Sequence, residues 1–84
     1  SLQIEFKVKF NEDMLRRVID GEMAFRPNKI DHQSRCLHFI VSIDQDTHFL
    51  HWLIRLQEEA EIIEPQYYRE VMRYQLEKWL SLYK

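Results

Sequence analysis

With one glycine, two prolines and one cysteine in 84 residues, this chain excludes several kinds of protein at once. Gly21 alone cannot build a glycine-rich loop for phosphates, which needs several backbone positions free of a Cβ. So little glycine and proline also excludes a low-complexity or linker-like chain, and 45% hydrophobic residues with 13% aromatic are ample for a packed core. Cys36 has no internal disulfide partner and no second cysteine with which to share a structural zinc site, a usage that fits a reducing cytosol. Apolar stretches fall far short of the roughly 18 to 20 residues that span a bilayer as a helix, and no charged-then-apolar signal segment opens the chain. The expectation is a soluble, cytoplasmic module with no membrane contact and no redox chemistry.

Charge is scarce in net terms, at −2, but it is unevenly placed. Residues 1–43 hold seven Lys/Arg and six Asp/Glu, whereas residues 44–77 hold three against eight. The acidic second half is a poor surface for phosphate backbones, so any nucleic-acid contact is expected from the first half or from another domain. A chain of this length is also below the size at which a core alone supplies comfortable stability, which points to a partner domain or a second copy.

What is present is strong alternation. Ile4, Phe6, Val8 and Phe10 alternate with Gln3, Glu5, Lys7 and Lys9, the signature of a half-buried strand. Asn11 then reads as an N-cap, with Met14, Leu15, Val18 and Ile19 forming a helical stripe that Gly21 ends through its access to positive φ. Met23 to His32 reads as an irregular edge strand, because Phe25 favours a strand and Pro27 restricts it to an edge or bulge. Gln33-Ser34 reads as a hairpin turn, followed by a strand from Leu37 to Ile43. Asp44 to Thr47 supply turn and cap residues for a helix carrying Phe49, Leu50, Leu53, Ile54 and Leu56. Glu61 to Glu64 form a short strand, and Pro65 opens a last helix with Tyr68, Val71, Met72, Leu76, Trp79, Leu80 and Tyr83 at helical spacing. The order βαββαβα predicts an α+β fold of ferredoxin-like split βαβ type, an antiparallel sheet with helices on one face. Ile4, Phe6, Val8, Leu37, Phe39, Val41 and Ile43 are expected to face helices carrying Leu15, Leu53, Leu76 and Trp79.

Catalytic and metal chemistry find little support. His48 and His51 stand three apart on a helix, yet no Cys or third His falls at a ligand spacing. Cys36 and His38 share a strand face while Arg35 points to the other, so Cys36 reads as a small apolar residue rather than a nucleophile. Glu58-Glu59 read as the solvated end of a helix, with diverging side chains. The Leu37 to Ile43 strand lacks the aromatic run of RNA-binding sheets, and Phe39 belongs to the core face. No catalytic residue, metal or cofactor is expected, and a small hydrolase is a remote reading. Arg26, Lys29, Arg35 and His38 gather in the middle of the chain with two readings open. They are either charged protection of an edge strand or a basic face holding an anionic ligand at a domain junction. Trp52 and Trp79 are likewise open between core and interface anchor.

The run Trp52-Leu53-Ile54, the segment Ala60-Glu61-Ile62-Ile63-Glu64-Pro65 and the helix running to Tyr83 together resemble the C-terminal extension, called WCX, that follows WYL domains in bacterial transcription regulators. Members of that family carry a tryptophan-bearing "WLL" helix, an "AEVLEP"-like strand and a final helix ending in an aromatic residue. They often have a glycine just after the first of these helices, where this chain has Gln57-Glu58-Glu59. The resemblance implies a C-terminal fragment of a longer protein, residues 1–84 following a winged-helix DNA-binding domain and a WYL domain, and the lack of an initiator Met points the same way. It implies homodimerisation, docking on the WYL domain, a nucleic-acid or nucleotide ligand at that junction, and DNA bound by another domain. The alternative is a stand-alone ferredoxin-like domain that binds a small ligand for regulation.

Overall fold

The computed structural model describes residues 2–84. β1 (Gln3–Phe10) follows the predicted alternation, with Phe6, Val8 and Phe10 buried and the residues between them at least partly exposed. α1 (Glu12–Ile19) starts where Asn11 caps it, the side-chain Oδ1 accepting from the Met14 N–H at 2.9 Å. It ends with Gly21 at φ 80, a conformation that favours glycine. β2 is only Lys29–Asp31, and β3 is Cys36–Ser42. A 3₁₀ turn at Ile43–Gln45 leads into α2 (Asp46–Arg55), a second at Gln57–Glu59 into β4 (Ala60–Glu64), and Pro65 caps α3 (Gln66–Ser81).

The four strands form one open antiparallel sheet in the order β2-β3-β1-β4, so α+β with three helices is the fold class. Register is fixed by the buried face: Phe6 lies opposite Phe39, Val8 opposite Leu37 and Ile4 opposite Val41. A one-residue slip would turn all of these to solvent. The β1–β4 pairing shifts register between Lys7 and Val8, where Ile63 is the extra residue.

The core is an aromatic cluster on one side of this sheet. Phe6, Phe10, Phe39 and Phe49 are essentially inaccessible, and Trp52 completes them, its ring 5.6 to 6.3 Å from those of Phe10, Phe39 and Phe49. Phe39 therefore faces the helices, as its place in the alternation requires. Tyr68 joins the same cluster 4.9 Å from Phe6 and donates its hydroxyl proton to Asp46 Oδ2 at 2.9 Å, tying the start of α3 to the start of α2.

Three expectations are corrected. Met23 to His32 is not a strand throughout: residues 22–28 form an irregular loop, because Phe25 turns inward to pack on Phe49 and Trp52 instead of extending a ladder. Ile43 is not a core residue but lies half-exposed in the 3₁₀ turn, where the chain has left the alternating geometry of β3. Leu76 and Trp79 do not face the sheet. They are 47% and 49% exposed, because they stand at and beyond the end of α2, where Ile54 and Ile62 wall an open groove instead of closing over them.

The reason is length. Asp46 and Tyr68 bring the starts of α2 and α3 to one level, yet α2 is ten residues long and α3 sixteen, about 15 and 24 Å. Counted from that contact, α2 runs on for nine residues and α3 for thirteen, so α3 outruns its neighbour by about one turn. The radius of gyration, 12.9 Å, is accordingly above the roughly 12 Å typical of a compact chain of this length.

Candidate functional site

Two surfaces carry residues that folding leaves unused. The first is the open side of the sheet, built by the alternate residues of each strand. Cross-strand register places Lys29 beside His38, His38 beside Lys7 and Lys7 beside Glu64, one row running across all four strands. At about 4.8 Å per strand step this row spans about 14 Å. The next row is Asp31, Cys36, Lys9 and Glu61. Lys7 and Lys9 on central β1 and Lys29 on edge strand β2 form no ion pair among the described residues, and acids share their face, Asp31, Glu61 and Glu64 on the edge strands and Glu5 on β1. The Asp31 carboxylate is held below its ordinary pKa first by the Ser34 hydroxyl and backbone N–H, then by the Gln33 N–H and the positive charge of Lys7. That turn is thus held by the acid rather than free to bind cations.

Of the residues singled out in the sequence, Lys29 and His38 are brought together as direct cross-strand neighbours on this face. Arg35 lies in the β2–β3 turn with φ 60, where its carbonyl accepts from the Phe10 N–H at 3.0 Å. Arg26 is elsewhere. Its guanidinium lies over Gly21, so close that a Cβ on that glycine would sit 3.1 Å from Nη2. A cation just beyond the α1 C-terminus is favoured by the helix dipole, which gives Arg26 a structural reason for its position. Lys7 joins Lys29 and His38 in the first row, Lys9 stands between Cys36 and Glu61 in the second, and neither was among the expected residues. Their outward alternation in β1 was the available signal, but their nearness to Lys29 and His38 depends on pairing register.

The chemistry this face offers is electrostatic. Cys36 is buried beneath the longer side chains, its Sγ 3.7 Å from the Ser34 carbonyl oxygen. Its face carries no Phe, Tyr or Trp on β1 or β3 to stack a base, since every aromatic ring on those strands points into the core. His48 and His51 are both exposed on α2, the His48 ring lying 5.7 Å from that of Phe25. Among the described residues no three His, Cys, Asp or Glu side chains converge.

The second surface is a groove of about 1090 Å³ between the end of α2, β4 and the inner side of α3. Its floor and walls include Ile54, Ile62, Met72, Leu76, Trp79 and Leu80, with Arg69 and Arg73 along the α3 side. Arg69 is fixed there, donating to Glu61 Oε2 at 3.1 Å and to the Ile62 carbonyl. Trp79 is half-exposed at this surface, whereas Trp52, the other expected interface residue, is only 3% exposed. Trp52 is corrected to a core residue: the sheet and Phe25 already cover it, leaving no side-chain area for a partner.

The end of α2 has one unusual position. Gln57 has φ 58, the left-handed conformation that a helix adopts just past its end and that glycine occupies without a Cβ penalty. It is the first residue of the segment where the sequence departs from the pattern of a glycine after the tryptophan helix. Gln57 thus holds a conformation that a glycine would hold without a Cβ penalty.

Among the described residues, no helix is long and apolar enough to cross a membrane. No curated protein and no solved structure matches the chain. The family model described as WCX domain matches residues 2–80, from the first strand to the outer turns of α3. The chain belongs to the WCX domain family.

Proposed function

We propose that this chain is the non-catalytic C-terminal module of a bacterial WYL-type transcriptional regulator, contributing to dimerisation and to the transmission of a ligand signal toward a DNA-binding domain elsewhere in the longer cytoplasmic protein. Membership of the WCX family carries this reading. Further support comes from the two unused surfaces, one electrostatic and one apolar, and from the strand order, which suits a ferredoxin-like split βαβ frame with α3 appended. The row Lys29, His38 and Lys7 is the part of the module that an anionic ligand at the WYL junction would meet, with Arg35 in the turn beyond the Asp31–Cys36 pair. A nucleotide or short nucleic acid fits it through phosphate contacts alone, since the face reads no base by stacking.

The test uses the whole regulator with and without residues 2–80. Deletion is expected to abolish dimerisation and the ligand response, and to weaken DNA binding as a consequence. Changing Lys29 and Arg35 to Ala is expected to weaken binding of an anionic ligand by about 1.5 to 3 kcal/mol for each charge-assisted hydrogen bond removed. A deletion that leaves dimerisation, ligand response and DNA binding all intact refutes the reading.

A further inference from the structure

The outer half of α3 has a property that a generic sticky helix lacks: it is both a wall of the apolar groove and the most exposed apolar segment of the molecule. Met72, Leu76, Trp79, Leu80 and Tyr83 recur at intervals of three and four, so they form one stripe down the helix and the turn that follows it. Its outer members are 47%, 49%, 64% and 79% exposed for Leu76, Trp79, Leu80 and Tyr83. A surface that contains both a ridge and the groove beside it is suited to meet a copy of itself about a two-fold axis.

We infer that α3 pairs antiparallel with α3 of a second copy of this chain, each helix seating its outer half in the groove that the other forms with its own α2 and β4. This inference rests on the regulator reading and names the element that would carry its dimerisation. The register follows from the stripe. An axis through Leu76, midway between Arg69 and Tyr83, sets the two Leu76 side chains against each other and Met72 against Leu80. The same axis sets Arg73 against Trp79 and Arg69 against Tyr83. Each pairing is complementary, two being apolar and two placing a guanidinium by an aromatic ring. A parallel pairing would instead set Arg69 and Arg73, each paired with an acid of its own chain, Glu61 and Glu77, against their own copies and would forgo both ring contacts.

Area is consistent with a stable pair. Aromatic side chains offer about 150 to 250 Å² each, so Trp79 and Tyr83, half and four-fifths exposed, present on the order of 250 Å². With Leu76 and Leu80 added this reaches on the order of 450 Å², close to the roughly 500 Å² per partner that a specific interface must clear. Trp79, set at the groove rather than at its rim, is the anchor in this arrangement.

The experiment uses the 84-residue chain and the full regulator side by side. In a Cys36→Ser background, Leu76→Cys is expected to form a disulfide-linked dimer on mild oxidation, whereas Lys78→Cys on the opposite side of α3 is not. Trp79→Asp, with its circular dichroism and melting unchanged, is expected to raise the dimer dissociation constant of the chain at least ~30-fold by sedimentation. Monomeric behaviour of the chain at every concentration reached, equal cross-linking at positions 76 and 78, or a Trp79→Asp variant that dimerises normally would each overturn the pairing. A monomeric chain beside a dimeric regulator that Trp79→Asp disrupts would overturn it too, assigning the groove to another segment of the longer protein and leaving the regulator reading intact. Pairing of the chain through position 76, in a regulator whose ligand response survives deletion of residues 2–80, would do the reverse.

Discussion

Trp52 on α2 and Trp79 on α3 both stand on apolar helical stripes, yet one is 3% exposed and the other 49%. Beneath Trp52 lie Phe10 and Phe39 from the two central strands, with Phe25 folded over it from the loop before β2. Beside Trp79 there is only the groove. The difference teaches that a stripe states which face of a helix avoids water, while the lengths of the neighbouring elements decide whether the chain itself can cover that face. The four residues by which α3 runs past α2, counted from the Asp46–Tyr68 contact, leave exposed at its outer end a stripe that begins against the core.

The comparison breaks most visibly at the buried end. Phe39→Ala and Trp52→Ala are each expected to cost about 3 to 5 kcal/mol in urea or thermal unfolding, enough to leave so small a domain largely unfolded. A loss below about 1 kcal/mol at Trp52 would mean that its surroundings are not the packed cluster described.

Tyr68 lies at the boundary between the two regions. Burial, and then its hydrogen bond to the Asp46 carboxylate, push its pKa up to about 12. Ionisation is therefore disfavoured in the folded state. The stabilisation is complete below the unfolded tyrosine value, about 10, and is lost as pH rises through the folded value. Tyr68→Phe is expected to cost about 1 to 3 kcal/mol at neutral pH through loss of the charge-assisted bond. It should also flatten the fall in stability between about pH 10 and 12 relative to the parent chain. An identical alkaline profile in the two proteins would refute the burial of this hydroxyl.

A smaller effect of opposite sign is expected at the end of α2. Gln57→Gly should raise stability by about 0.5 to 1 kcal/mol, because relief of the left-handed penalty outweighs the greater freedom of glycine in the unfolded chain. The change would show as a higher midpoint in denaturant at unchanged slope.

The smallest effect sharpens the comparison best. Trp79→Ala, measured at concentrations where the chain is monomeric, is expected to change stability by no more than about 0.5 kcal/mol, in contrast to Trp52→Ala. Equal losses at the two tryptophans would place Trp79 in the core of the single chain.

Much of this fold is legible residue by residue. Ile4, Phe6, Val8, Leu37, Phe39 and Val41 declare their face by alternation alone, Asn11 and Gly21 mark the ends of α1 by the hydrogen bond and the φ they supply, and Pro65 marks the start of α3. Phe25 is not legible in this way, because an aromatic residue near a proline satisfies a strand pattern as well as an inward-turned loop. Nor is the row from Lys29 to Lys7, since alternation shows that these residues point away from the core but not which of them are neighbours.

Period, capping and turn chemistry act over a few residues and need no knowledge of the rest of the chain, so the α+β class and the core face of the two central strands follow from the sequence alone, and the resemblance of Trp52-Leu53-Ile54 and Ala60 to Pro65 points from the sequence to the family. Only the tertiary structure decided which tryptophan is covered, which cations share a surface and where the chain leaves an apolar groove open. Those outcomes depend on strand register and on how α2, α3 and β4 are set against one another, and both are decided by packing between segments far apart in sequence.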